Sequence, residues 1–271
     1  MTTRVEDRRR VVQGLAIVIL GAFVVAPART SAQGVTSPMS DALAAVVDPA
    51  DRSGTNPANL RNTLDLWNEF RSVGDGLFSD SVAWQYAQAF AGRRMRARVE
   101  LPLQLANVTG RTEAGFGDIV GGWEWLPAVQ GRVAWLTGAD VEFDSATNPA
   151  LSTNHTVFAP SAGLVFAARH DTLLSVRYMQ RRSVNSVEDV ADINEGTVEA
   201  AIVRRFGTAA WLRAVPAAVL DYERSEAWMR LDGEWGRVLS GGASTWVRAG
   251  GVFGPSRPFN WTVVIGFRFV E

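Results

Sequence analysis

With two histidines, no cysteine and no lysine, this chain of 271 residues has few groups suited to acid–base or covalent chemistry. A hydrolase needs a nucleophile and a base within hydrogen-bond reach. His155 lies in Ser152-Thr153-Asn154-His155-Thr156, read as a loop or strand edge, where Ser152 or Thr156 could serve as its partner. No oxyanion donor or calcium site accompanies them. His170 stands beside Asp171 in an expected tight turn, so the two histidines should occupy opposite ends of the fold. Gly115-Phe116-Gly117-Asp118 has too few glycines, and no following helix, for a nucleotide site. The Asn-x-Thr triplets at Asn107, Asn154 and Asn260 are read as chance matches rather than glycan acceptors. The expectation is no catalytic residue, no cofactor and no metal ligand.

What remains is charge, spaced by two residues within short apolar segments. From 94 to 105, Met95, Ala97, Val99, Leu101, Leu103 and Leu105 alternate with Arg94, Arg96, Arg98, Glu100, Pro102 and Gln104. A strand sends alternate side chains to opposite faces, so one face here is apolar and the other mostly polar. Trp261 to Val270 repeats the pattern, with Trp, Val, Ile, Phe and Phe on one face. About ten further segments do the same, each about as long as a tilted strand that crosses a bilayer. Lipid cannot solvate arginine or glutamate, so the charged face should look inward. The expected lumen lining is Arg94, Arg96, Arg98, Glu100, Asp118, Arg132, Asp140, Glu142, Arg177, Arg230, Asp232, Glu234, Arg248 and Arg268. Both signs recur, which predicts cross-strand ion pairs that leave at most a narrow path. Such a lining acts either as a salt-bridged filling that stiffens the barrel or as a charged constriction that selects solutes.

The N-terminus carries Arg4, Arg8, Arg9 and Arg10, then an apolar core from Val11 to Val25, then Thr30-Ser31-Ala32. That is the pattern of a cleaved secretion signal over residues 1–32. Residues 33–62 are rich in Ser, Pro, Gly, Asn and Asp, with Ser40 placed to cap a short helix through Val47. They are read as a periplasmic lead-in, with a small plug as the alternative. Residues 63–271 form the barrel. After the signal no apolar run is long enough for a spanning helix. All 27 basic residues are arginine and the net charge is −1, which gives no electrostatic case for nucleic acid. Ten tryptophans suit the two membrane interfaces.

The strands number twelve if the loosely alternating Leu64–Ser72 counts, and ten if it and one other stay outside; bacterial barrels favour even numbers. Gly207-Thr208 and Arg169-His170-Asp171 should be periplasmic turns. Residues 107–114, 145–156 and 183–194 should be extracellular links, giving an up-and-down antiparallel meander.

Gly115-Phe116-Gly117-Asp118-Ile119, entering a strand rich in aromatics, resembles the Gly-x-Gly-Asp element of the outer-membrane proteins named after the meta-cleavage pathway of phenol degradation. Leu101-Pro102-Leu103 and the Leu-x-Leu-x-Asn-x-Phe run within Asn59–Phe70 are similar to that family's Leu-Pro segment and first strand. The resemblance spans about residues 57 to 271. Where the family has Pro-Thr-Gly after its fourth strand, this chain has Glu142-Phe143-Asp144-Ser145. The resemblance implies a barrel that passes small compounds, hydrophobic or aromatic ones among them, and implies no catalytic residue. Outer-membrane barrels usually end on an aromatic residue; here Phe269 is followed by Val270 and Glu271, so that signal is displaced.

The function expected is a narrow channel or uptake protein for small molecules in the outer membrane of a Gram-negative-type bacterium. Its expected partners are outer-membrane lipid, the barrel-assembly machinery and a small-molecule solute. A lipid-active barrel enzyme and a closed structural or surface barrel remain the open alternatives.

Overall fold

Alternation in the sequence becomes hydrogen-bonded ladders that run around a full circle. The computed structural model describes residue 51 and residues 53–271 apart from 109, 186, 188, 189, 240 and 241. The expected signal at 1–32 and the expected helix from Ser40 to Val47 lie outside the described residues. The strands are β1 (Thr63–Gly74), β2 (Leu77–Phe90), β3 (Met95–Asn107), β4 (Glu113–Phe116), β5 (Val120–Trp125), β6 (Val129–Gln130) and β7 (Val133–Glu142). They continue as β8 (Val157–Arg169), β9 (Thr172–Ser183), β10 (Asn194–Phe206), β11 (Ala210–Asp221), β12 (Glu226–Val238), β13 (Ala243–Phe253) and β14 (Trp261–Val270). All pairings are antiparallel, and β1 pairs with both β2 and β14, which closes the sheet.

β4, β5 and β6 are pieces of one stave. β4 pairs with β3, β5 with β3 and β7, and β6 with β7. Counted this way the barrel has twelve staves, and the weak first segment is one of them. Closure pairs every stave with both neighbours, apart from the broken fourth stave, where β4 pairs only with β3 and β6 only with β7.

Both ends of the barrel chain lie at one end of the barrel, since Thr63 pairs with Val270. The turn between β8 and β9, containing His170, and the turn at Gly207-Thr208 lie at that same end, which is the periplasmic one. The long connections 143–156, 184–193 and 254–260 lie at the other.

Outward positions are apolar and exposed, among them Leu66, Val99, Leu103, Trp235, Ile265, Phe267 and Phe269. Each shares the phase read from alternation. Inward positions divide into two zones. Toward the extracellular end they are polar. Toward the periplasmic end charged pairs such as Arg96–Glu124 and Arg268–Asp65 stand beside an apolar patch in which Leu126, Leu136, Val165, Leu173 and Val203 cluster around Ala58 and Leu60 from the segment before β1. Residues 51 and 53–60 are thus mostly buried among inward-facing side chains.

Trp211 and Trp246 also face inward and are buried, with Val264 beside them. Each ring lies flat over a glycine on the next strand: Trp211 over its register partner Gly236, and Trp246 over Gly266. A β-carbon added at Gly236 would lie 2.0 Å from the Trp211 ring, and one at Gly266 2.3 Å from the Trp246 ring. The indole covers the bare backbone, and the glycine gives it room.

Candidate functional site

The lumen is built in layers. Its upper part is a cavity of about 1160 Å³ that reaches from mid-barrel to the extracellular loops, where Ser152, Arg224 and Phe259 line it. Below lies a chamber of about 200 Å³, walled by Arg96, Glu124, Arg213, Glu234, Trp246 and Arg268. Arg177, Glu199 and Arg248 line both spaces, so the two adjoin there. The floor of the chamber is Gly54, Thr55, Asn56 and Pro57. Beneath that floor a third cavity of about 430 Å³ is lined by Asp51, Ser53, His170, Asp171 and Arg205 at the periplasmic mouth.

Ion pairs cross neighbouring and next-neighbouring strands. Arg98 donates to Asp140 at 2.7 Å and to Gln85 at 2.8 Å. Arg96 pairs with Glu124. Arg181, which the sequence argument left out of the lining, holds Glu142 at 2.9 Å and Glu195 at 2.7 Å. Arg230 pairs with Asp232 at 2.8 Å. Glu234 accepts a hydrogen bond from the Trp211 indole at 2.9 Å and faces Arg213 at 3.8 Å. Glu100 faces the upper cavity, with Arg98 as its opposing charge and Glu69, Asp140 and Glu142 as like-charged neighbours.

Other expected residues stand elsewhere. Arg94 is exposed in the turn before β3, and its carbonyl accepts from the Leu126 N–H at 2.8 Å. Arg132 is exposed in the turn before β7, and its carbonyl accepts from Ala167 at 2.9 Å. Both have the inward phase, but the strands begin one residue later, so neither lines the lumen. Asp118 is buried where the fourth stave breaks. Its carboxylate accepts from the Ser145, Ala146 and Thr153 backbone N–H groups at 3.0, 3.1 and 2.8 Å, and from the Ser152 hydroxyl at 2.8 Å. It pins the 143–156 loop and lines the upper cavity from below that loop.

These bonds bear on the hydrolase alternative. His155 is fully buried, and its ring nitrogens each lie 3.1 Å from a backbone carbonyl, one of Asn185 and one of Ala191. Ser152 is committed to Asp118. The imidazole fastens two extracellular loops together and faces no nucleophile.

The floor was the largest feature missed. Residues 51–62 have no strand period, so the sequence reading favoured a periplasmic lead-in and kept a small plug only as the alternative. A signal was present in Ala58 and Leu60, apolar residues in an otherwise polar run. The floor is tied by charge as well. Arg268 donates from Nη1 to the Gly54 carbonyl at 2.6 Å and from Nε to Asp65 on β1. Asp51 faces Arg205 at 3.5 Å.

No known family and no curated protein matches the sequence. Solved structures match the fold. An outer membrane channel from Pseudomonas putida F1 aligns at a TM-score of 0.64 and 7% identity, over 78% of this chain and 96% of that one. The NanC porin aligns at 0.60 and 11% identity, over 76% and 98%. The KdgM porin, also solved in complex with oligogalacturonate, aligns at 0.56 and 11%, over 76% and 98%. The chain therefore has the closed twelve-stranded fold of outer-membrane porin-type barrels. With its apolar outer belt, that fold places it in an outer membrane.

Proposed function

We propose that this protein is a narrow channel for small molecules whose periplasmic mouth is closed by its own residues 51 and 53–60. The observation that carries the reading is the run of cavities along the lumen. They are continuous as far as Arg177, Glu199 and Arg248, then are closed off by four consecutive backbone units at 54–57. A purely structural barrel has no need of a 1160 Å³ entrance cavity above a charged neck. A wide porin would have no floor.

The floor is held to the wall by the apolar packing of Ala58 and Leu60 and by polar contacts. Among its contacts with the wall are those of Arg268 with the Gly54 carbonyl and of Arg205 with Asp51. Passage requires the segment to withdraw toward the periplasm, the side from which it enters. Outer-membrane lipid and the barrel-assembly machinery are the partners this reading entails.

The phenol meta-cleavage family remains the assignment that the Gly-x-Gly-Asp element supports. Here its aspartate anchors the extracellular loop, and Gly117 lies against Gln104, where a β-carbon would fall 2.4 Å from the amide nitrogen. Small hydrophobic or aromatic compounds are the solutes in keeping with that assignment. Trp67, Trp228 and Phe259 on the upper cavity wall offer them apolar faces.

Proteoliposome swelling tests the reading. Refolded full-length chain should admit small solutes slowly. No uptake, together with ester hydrolysis lost in a His155→Ala variant, would replace the channel with an enzyme.

A further inference from the structure

At the neck of the lumen several guanidiniums share few closely held carboxylates. Arg177, Arg213 and Arg230 all turn toward Glu199, at 4.0, 3.7 and 3.5 Å. Elsewhere in the lumen, pairs such as Arg98–Asp140 and Arg181–Glu195 close to 2.7 Å. Glu199 is thus shared among three guanidiniums and held closely by none.

A fourth guanidinium, that of Arg248, has Glu69 and Asp232 as opposing charges but no hydrogen bond or ion pair at contact distance among the described residues, and its Nε is buried without a partner. Its face rests on the Trp246 ring, 5.1 Å from the centroid. That stacking leaves the N–H groups at the guanidinium edge for something else. Arg213 has Arg248 and Arg268 as like-charged neighbours, and its own Nε is also buried and unpartnered.

The acids nearby are already engaged. Asp232 takes Arg230 at 2.8 Å, and Glu234 takes Trp211 and Arg213. Glu69 takes Arg71 at 2.9 Å and the Thr262 hydroxyl at 3.1 Å. Arg177, Arg213, Arg230 and Arg248 thus stand among Glu69, Glu199, Asp232 and Glu234, and Arg248 is the one guanidinium of the four that no carboxylate holds at ion-pair distance. A buried Nε without an acceptor is costly, and the rest of the Arg248 guanidinium faces the two cavities, where an anion could reach it.

We infer that the neck is a binding site for the carboxylate of a small monoanionic solute, seated on Arg248 between the upper cavity and the chamber. A carboxylate presents two coplanar oxygens that match the guanidinium fork, which chloride cannot do. Arg248 borders both spaces, so a solute held there stands between entrance and floor. Occupancy also relieves the repulsion among Arg213, Arg248 and Arg268. The site deepens the channel reading and rests on it only for its role in passage; binding itself needs no open path.

The test is calorimetric titration of folded, full-length protein in detergent with sodium benzoate at constant ionic strength, set against sodium chloride. Saturable one-to-one binding of benzoate is expected, and Arg248→Gln should weaken it by about tenfold or more. Arg132→Gln, in an exposed periplasmic turn, should leave it unchanged. Heat-modifiable gel migration confirms that each variant is folded. If Arg248→Gln fails to fold, Arg248→Lys takes its place: it keeps the charge, loses the fork, and should weaken benzoate binding while leaving chloride screening alone. Benzoate binding that is absent, equalled by chloride, or indifferent to Arg248 overturns the site. Such a result beside intact solute uptake leaves the channel standing, whereas benzoate binding without uptake leaves the site and overturns the channel.

Discussion

Arg268 and Gly54 meet inside the barrel, where the arginine Nη1 donates to the glycine carbonyl at 2.6 Å. The same guanidinium holds Asp65, its register partner across the β1–β14 seam. One side chain thus joins the closure of the sheet to the floor of the lumen. Gly54 is suited to the contact by its backbone, with φ at +66°, and by its bareness, since a β-carbon there would lie 2.5 Å from the Arg268 Cδ.

Replacing Arg268 should loosen the floor and weaken the seam together. Arg268→Gln leaves Asp65 buried without its partner, a cost of about 3–5 kcal/mol. The double variant Asp65→Asn/Arg268→Gln should recover much of that stability while keeping the looser floor. Urea unfolding in detergent reads the first effect, and the rate of solute uptake reads the second. Equal uptake by wild type and double variant would contradict the tie.

Gly54→Ala should act on the floor without touching the seam charge. The new methyl meets Arg268 and imposes an unfavourable φ. Proteolysis from the periplasmic side should cut the segment before β1 faster in this variant, with the barrel left intact. Unchanged cleavage would mean that the segment is held by its apolar contacts alone.

The outer face should behave as hydrocarbon-facing. Val99→Arg near mid-bilayer should cost about 2–4 kcal/mol in folding into vesicles, and arginine at the inward neighbour Pro102 should cost less. Equal costs would invert the assignment of faces.

Tryptophans should sort by face. Trp123, Trp125, Trp135 and Trp261 are exposed on the outer surface, whereas Trp211 and Trp246 are buried within. Lipid brominated near the interface should quench fluorescence from the first group and spare the second. Gly266→Leu should displace the Trp246 ring and cost about 1–3 kcal/mol, read by chemical unfolding. Mid-chain bromines quenching the outer four most strongly would place them at the wrong depth.

Alternation made the staves legible because one side of each faces lipid. Trp211 and Trp246, which share phase with Arg213 and Arg248, are buried inside and depart from the expectation that the tryptophans suit the membrane interfaces. Legibility failed where both faces are apolar. Leu136 and Val165 point inward beside Trp135 and Leu164, which point outward, and composition alone does not separate them. It failed again at strand ends, since phase continues through Arg94 and Arg132 after the ladder has stopped. The floor was hidden for a different reason: it is extended chain without a ladder of its own, positioned by Arg268, Arg205 and an apolar layer contributed by distant strands.

Planar-bilayer recording of the full chain against Arg205→Gln/Arg268→Gln tests the central claim most directly. The account predicts brief, small openings in wild type and longer, larger ones in the double variant, because the floor has lost the contacts of Arg205 and Arg268. Identical traces, whether both silent or both steadily open, would show that residues 51 and 53–60 do not gate the lumen.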